Sequence, residues 1–134
     1  MATKNDAKIL IVDDEDDVRN SISAFVTSLG FKKVDTANGV DDGLTKAGKG
    51  NYDLVLLDMM MPKKSGWGFL EEARARKLKI RVLVLSAVGL PEVVHNDVKG
   101  KYPAPNVEFM SKTYITDQLE EMMVALLKVP AGVP

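Results

Sequence analysis

Five short apolar runs alternate along the chain with segments of helical periodicity. The runs are Lys8–Val12, Lys33–Ala37, Leu54–Leu57, Val82–Leu85 and Val107–Met110. Runs of this length, bounded by polar and turn residues, read as strands. Leu54–Leu57 and Val82–Leu85 are apolar throughout, which predicts central strands. The second run carries Lys33 and Asp35 and is predicted to lie nearer an edge. After the first run, Val18, Ile22, Phe25, Val26 and Leu29 share one helical face, and Gly30 stops the helix. Asn38–Lys49 reads as a weaker helix that buries Val40, Leu44 and Ala47, with Gly48 and Gly50 ending it. Trp67, Phe69, Leu70 and Ala73 form a stripe that begins near Ser65. Pro91 suits the first turn of a fourth helix. Val93, Val94 and Val98 lie on one side of that helix and Gly100 closes it, although β-branched valines are poor helix formers. Ile115, Leu119, Met122, Met123, Leu126 and Leu127 give the last helix a wide apolar stripe.

Strands that alternate with helices form a parallel sheet with right-handed crossovers. Helices must then cover both of its faces. The prediction is an α/β, doubly wound, flavodoxin-like domain. It has a five-stranded parallel sheet in the order 2-1-3-4-5 and five helices. A single domain is expected over residues 1–128, followed by a short tail, 129–134, whose prolines and glycine cannot continue a helix.

Composition narrows the chemistry. A chain of 134 residues fits one domain. It has no cysteine, which excludes disulfides and thiolate metal sites, and its one histidine, His95, disfavours zinc. Nineteen acids against 18 Lys and Arg leave a net charge of −1. That balance gives no bulk attraction to nucleic acid or membrane. Residues Met1 to Ala7 lack an apolar signal-peptide core, and no run approaches a membrane span. A cytoplasmic location is expected.

The carboxylates fall where the strands end. Asp13-Asp14-Glu15-Asp16-Asp17 follows the first run directly, and Asp58 follows the third. An unpaired buried charge is too costly for these to be core residues. They are predicted at the carboxyl edge of the sheet, where open α/β folds bind ligands. Strands one and three flank the topological switch point, so Asp13, Asp14 and Asp58 should converge there. Each like pair at 4 Å costs about 4 kcal/mol at an effective dielectric of 20, so something positive must offset them. Mg²⁺ prefers such oxygen ligands, and Lys112, after the fifth strand, supplies one more positive charge. Ser86 follows the fourth strand. Glu15, Asp16 and Asp17 read as a solvated face, with Asp16 or Asp17 favouring the helix N-terminus. His95 and Trp67 read as an exposed residue and a packing residue.

Val12-Asp13-Asp14, Asp58-Met59-Met60-Met61-Pro62 with Gly66, Leu85-Ser86-Ala87 and Ser111-Lys112 resemble the receiver domain of two-component response regulators (CheY-like), over roughly Lys8 to Leu127. The resemblance implies that Asp58 is the phosphoacceptor, forming an aspartyl phosphate. It implies Asp14, Asp58 and the backbone carbonyl of Met60 as Mg²⁺ ligands, with Asp13 holding metal-bound water. Lys112 would pair with the phosphoryl oxygens and Ser86 would bind one of them. It further implies a switch through Ser86 and Phe109, read out on the face of the fourth helix, fifth strand and last helix. The implied partners are a sensor histidine kinase or phosphotransfer protein and a downstream effector protein, with no direct binding of nucleic acid or membrane. The chain would be a monomer or a phosphorylation-dependent dimer. It would be no enzyme beyond catalysing its own phosphorylation and dephosphorylation.

The chain departs from the family pattern at Thr113, where proline usually follows the lysine. A cis bond before a non-proline costs about 2.5–4 kcal/mol, so a trans bond and a shifted loop are expected. The stretch Lys99–Asn106 is longer than the usual connection. Met60 and Val88 are apolar where polar side chains could orient an attacking water, so slow self-dephosphorylation is expected. Three rivals remain on sequence alone. One is a receiver fragment of a larger regulator, and another is a phosphorylation-independent binding module. The third is a Mg²⁺ phosphohydrolase, although Asp13-Asp14 lacks the D-x-D spacing. A flavodoxin-type carrier is disfavoured because an acid run repels phosphate.

Overall fold

The computed structural model describes residues 3–58, 66–86, 107–112 and 115–128. Five strands form one parallel sheet: β1 (Lys8–Val12), β2 (Lys33–Ala37), β3 (Leu54–Asp58), β4 (Val82–Ser86) and β5 (Val107–Ser111). Their order is β2-β1-β3-β4-β5, as the alternation of elements predicts. Four helices lie among the described residues: α1 (Asp16–Ser28), α2 (Val40–Gly50), α3 (Gly66–Ala75) and the last helix, Ile115–Leu127. The predicted fourth helix, the stretch 99–106 and the tail 129–134 lie outside the described residues.

Side chains alternate across a strand, so each apolar run serves both faces. Leu10, Val12, Val55, Leu57, Val82, Val84 and Val107 pack with Val40, Leu44 and Ala47 of α2 and with Phe69, Leu70 and Ala73 of α3. Ile9, Ile11, Leu54, Leu56, Leu83, Leu85 and Met110 pack with Ile22 and Val26 of α1 and with Leu119, Met123, Leu126 and Leu127 of the last helix. Each fully buried aliphatic side chain of this kind contributes about 1.5–3 kcal/mol. The two edge strands differ from the rest. β2 keeps only Ala37 buried, which accounts for its charged residues.

Local details show what holds the elements in place. α1 ends where Gly30 takes a φ of +106°, a conformation that L side chains resist. The Lys4 ammonium donates to the Leu29 carbonyl at 2.9 Å. It also pairs with Glu120 of the last helix and lies 5.7 Å from the centroid of the Phe31 ring. The polar stretch before β1 thus ties α1 to the last helix. α2 runs through Gly48 to Gly50, and Asn51 takes the left-handed position that ends it, at φ 53°. The prediction that Gly48 ends the helix is corrected, because asparagine tolerates that conformation. Gly43 lets α2 approach β1 closely: a Cβ there would lie 2.9 Å from Val12 and 3.3 Å from Phe69.

Tyr52 is buried in the layer under α2 and α3, and its hydroxyl donates to Asp35 Oδ2 at 2.5 Å. Burial first, then the hydrogen bond to Asp35 and the charges of Asp35 and Asp42, push its phenol from the ordinary value of 10.0 up to about 12. A group whose folded pKa is raised stabilises the fold fully below its unfolded value, and that contribution is lost as pH rises towards the folded value. The stability advantage of the protein over Tyr52→Phe should therefore shrink as pH rises from 10.0 to about 12. Urea midpoints across that window measure it, and a constant difference would contradict the assignment. Phenylalanine keeps a ring where the Lys8 ammonium sits 4.9 Å from the centroid, so that contact is common to both proteins.

Candidate functional site

The sheet delivers its polar residues to one rim. Asp13 is the first residue after β1, and its N–H still donates to the Ala37 carbonyl of β2 at 3.2 Å. Asp58 is the last residue of β3, held in register opposite Leu85 of β4. Lys112 directly follows β5. Parallel strands that end together must bring these residues together, and they do. Carboxylate oxygens of Asp13, Asp14 and Asp58 lie within 4.8 Å of one another. Lys112 Nζ lies 3.5 Å from Asp13 Oδ2 and 3.4 Å from Asp58 Oδ1.

Burial makes this arrangement unusual. Asp13 and Asp58 are 1% and 4% exposed, the buried charged residues of the described core. Three carboxylates and one ammonium leave two negative charges uncompensated within the cluster. Asp13 is committed in all directions: besides Lys112, its Oδ1 accepts from the Glu15 N–H at 3.0 Å, and its carbonyl accepts from Arg19 at 3.0 Å. Asp14 is different. Its Oδ1 is buried and has no hydrogen-bond partner among the described residues. An unpartnered buried carboxylate oxygen beside two other carboxylates is a donor set for a hard cation. All of the donors are oxygens, and the missing charge equals that of a divalent ion. These residues fit Mg²⁺.

The sequence-derived residues are thereby located with six exceptions. Asp13, Asp14, Asp58 and Lys112 are brought together. The backbone of Ser86 ends β4 opposite Ser111, but its side chain lies outside the described residues. So do Met60, Trp67's side chain, Val88, His95 and Thr113. Phe109 stands on β5, half-buried, against the apolar layer beneath α2 and α3. Glu15, Asp16 and Asp17 are exposed, as expected, with Asp16 and Asp17 in the first turn of α1. Sequence reasoning missed Arg19. Its pairing with Asp16 three residues earlier was legible from helical spacing, but its bond to the Asp13 carbonyl was not.

Comparison with known proteins agrees with this geometry. Residues 9–124 match the model of the response regulator receiver domain. The chain is 40% identical over 80 residues to the transcriptional regulatory protein DltR of Streptococcus agalactiae, covering 60% of this chain and 35% of that protein. It is 32% identical over 122 residues to the transcriptional regulatory protein CiaR of Streptococcus pneumoniae, covering 90% of this chain and 51% of that one. The chain thus spans about half or less of the length of these relatives. The crystal structure of response regulator TrrA from Thermotoga maritima, in complex with Mg²⁺ and BeF, superimposes with a TM-score of 0.72. It is 29% identical, over 90% of this chain and 98% of that one. No described helix is long and apolar enough to cross a membrane. With the strand order, the acidic rim and its lysine all in place, the chain belongs to the response regulator receiver domains of two-component systems.

Proposed function

We propose that the chain is a phosphoacceptor whose Asp58 takes a phosphoryl group from a phosphohistidine. The donor is a sensor histidine kinase or a phosphotransfer protein. An Asp58 carboxylate oxygen bonds to phosphorus, the P–N bond breaks, and its electron pair stays on the donor imidazole. The product is an acyl phosphate. The observation that supports this reading is the buried Asp58 carboxylate, 3.4 Å from the Lys112 ammonium and grouped with Asp13 and Asp14. Phosphoryl transfer needs positioning and charge neutralisation more than covalent help. Lys112 offsets charge on the incoming oxygens, and the Ser86 hydroxyl binds one of them. Asp14, Asp58 and the Met60 carbonyl would hold Mg²⁺, with Asp13 holding its water. Bound there, the ion neutralises phosphoryl charge.

The chain catalyses only its own phosphorylation and dephosphorylation, and its output is a change of binding to a downstream effector. New charge-assisted bonds from the phosphoryl group to Ser86 and Lys112 draw Ser86 inward. Phe109, already half-buried on β5, then becomes more buried, which alters the edge of the sheet that β5 forms.

Incubation with acetyl phosphate and Mg²⁺, followed by intact-mass measurement, tests the reading. The expected result is the mass of one phosphoryl group added stoichiometrically to the protein and none to Asp58→Ala. Equal uptake by the variant, or continuous turnover of phosphate esters, would overturn it.

A further inference from the structure

We infer that Arg19 is a positioning residue for the cation site, acting through the Asp13–Asp14 peptide, an inference that rests on the reading of Asp14 as a metal ligand. Arg19 sits in the first turns of α1, its side chain 13% exposed. One guanidinium nitrogen donates to the Asp13 carbonyl at 3.0 Å, and another pairs with the exposed Asp16.

The peptide group is planar, so a carbonyl held in direction also fixes the plane that carries the next residue. The Asp13 carbonyl belongs to the peptide that leads into Asp14. Arg19 therefore sets the direction from which Asp14 leaves the strand. The other polar points of Asp13 are held as well. Its N–H is bonded to Ala37, Oδ1 to the Glu15 N–H and Oδ2 to Lys112. Asp13 thus acts as a fixed base for its neighbour, whose Oδ1 is buried and has no hydrogen-bond partner among the described residues. A buried orphan oxygen persists only if the surrounding structure keeps it from turning to solvent. Here the guanidinium on the preceding carbonyl supplies that restraint. Asp16 is paired to Arg19 on the solvent side and draws part of its charge away from the cluster.

Charge alone and positioning predict opposite signs. A guanidinium near a cation site repels the cation, so deleting it by electrostatics alone would tighten Mg²⁺ binding. Loss of an orienting group weakens metal binding, by roughly tenfold at the low end for such outer residues. Calorimetric titration of the protein with Mg²⁺, alongside its metal-free melting temperature, separates the two. Arg19→Gln is expected to bind Mg²⁺ roughly tenfold more weakly. Arg19→Lys keeps the charge and one of the two bonds, so its affinity should fall between those of Arg19→Gln and the unaltered protein. It also covers the case in which Arg19→Gln does not fold. Unchanged or tighter binding in whichever variants fold would overturn the inference, even with a lowered melting temperature. If the unaltered protein binds no Mg²⁺, or Asp14→Asn binds it as well, the reading of the site falls first and this inference with it.

Discussion

Replacing Lys112 with methionine should destabilise the metal-free protein by about 2–4 kcal/mol at neutral pH. Among the described residues the ammonium is a positive charge facing both Asp13 and Asp58, whose side chains are only 2% and 5% exposed. Removing one partner of a buried ion pair leaves the other charges desolvated and uncompensated, which costs about 3–5 kcal/mol in a fully dry site. Lys112 is 23% exposed, so water screens part of that loss and the expectation is set lower. Methionine keeps an unbranched side chain, one heavy atom shorter, and fills most of the same space, which isolates the charge. Urea unfolding with and without Mg²⁺ gives the reading. Saturating Mg²⁺ should restore most of the loss, because the cation supplies the missing charge to the same oxygens. A deficit that Mg²⁺ leaves untouched would mean that packing, not charge, is what Lys112 provides.

Asp58→Asn should act in the opposite direction, stabilising the metal-free protein while ending phosphoryl uptake. At an effective dielectric of 20, like charges within 4.8 Å of one another cost at least about 3.5 kcal/mol, and the opposite pair at 3.4 Å returns about 5 kcal/mol. Asp58 faces two like charges and one opposite charge among the described groups, so neutralising it gains about 2 kcal/mol. Asparagine keeps the size and one acceptor oxygen. The two substitutions should also couple. In the Asp58→Asn background Lys112→Met should cost less than alone, since one of the charges it compensated has gone. The urea midpoint of each single and double variant provides the cycle. A destabilised Asp58→Asn protein would show that the cluster is held by compensation the described charges do not contain.

Much of this was readable in the residues. Four-residue apolar runs marked β3, β4 and β5, and each strand proved one residue longer, into Asp58, Ser86 and Ser111. Pairing continues into polar residues wherever a neighbouring strand offers partners, and apolarity cannot signal that. The convergence of Asp13, Asp14, Asp58 and Lys112 followed from topology, because parallel strands place their ends at one rim. What stayed hidden were contacts made by long flexible side chains. Lys4 reaches Leu29 and Glu120, and Arg19 reaches a main-chain carbonyl, and neither bond leaves a periodicity in the chain. Asn51 was hidden for another reason: glycine is the stronger sign of a left-handed turn, and two glycines stood just before it. The burial of Phe31, between Gly30 and Lys32, and of Tyr52, between Asn51 and Asp53, likewise came from the fold and not from any pattern.

The sheet separates two apolar layers, one under α2 and α3 and one under α1 and the last helix. Neither layer needs the other's helices to be complete. Substitutions on the outer surface over one layer can therefore accumulate without repacking the far side. The two outer surfaces can thus change as separate traits, while the acidic rim at the strand ends stays as it is.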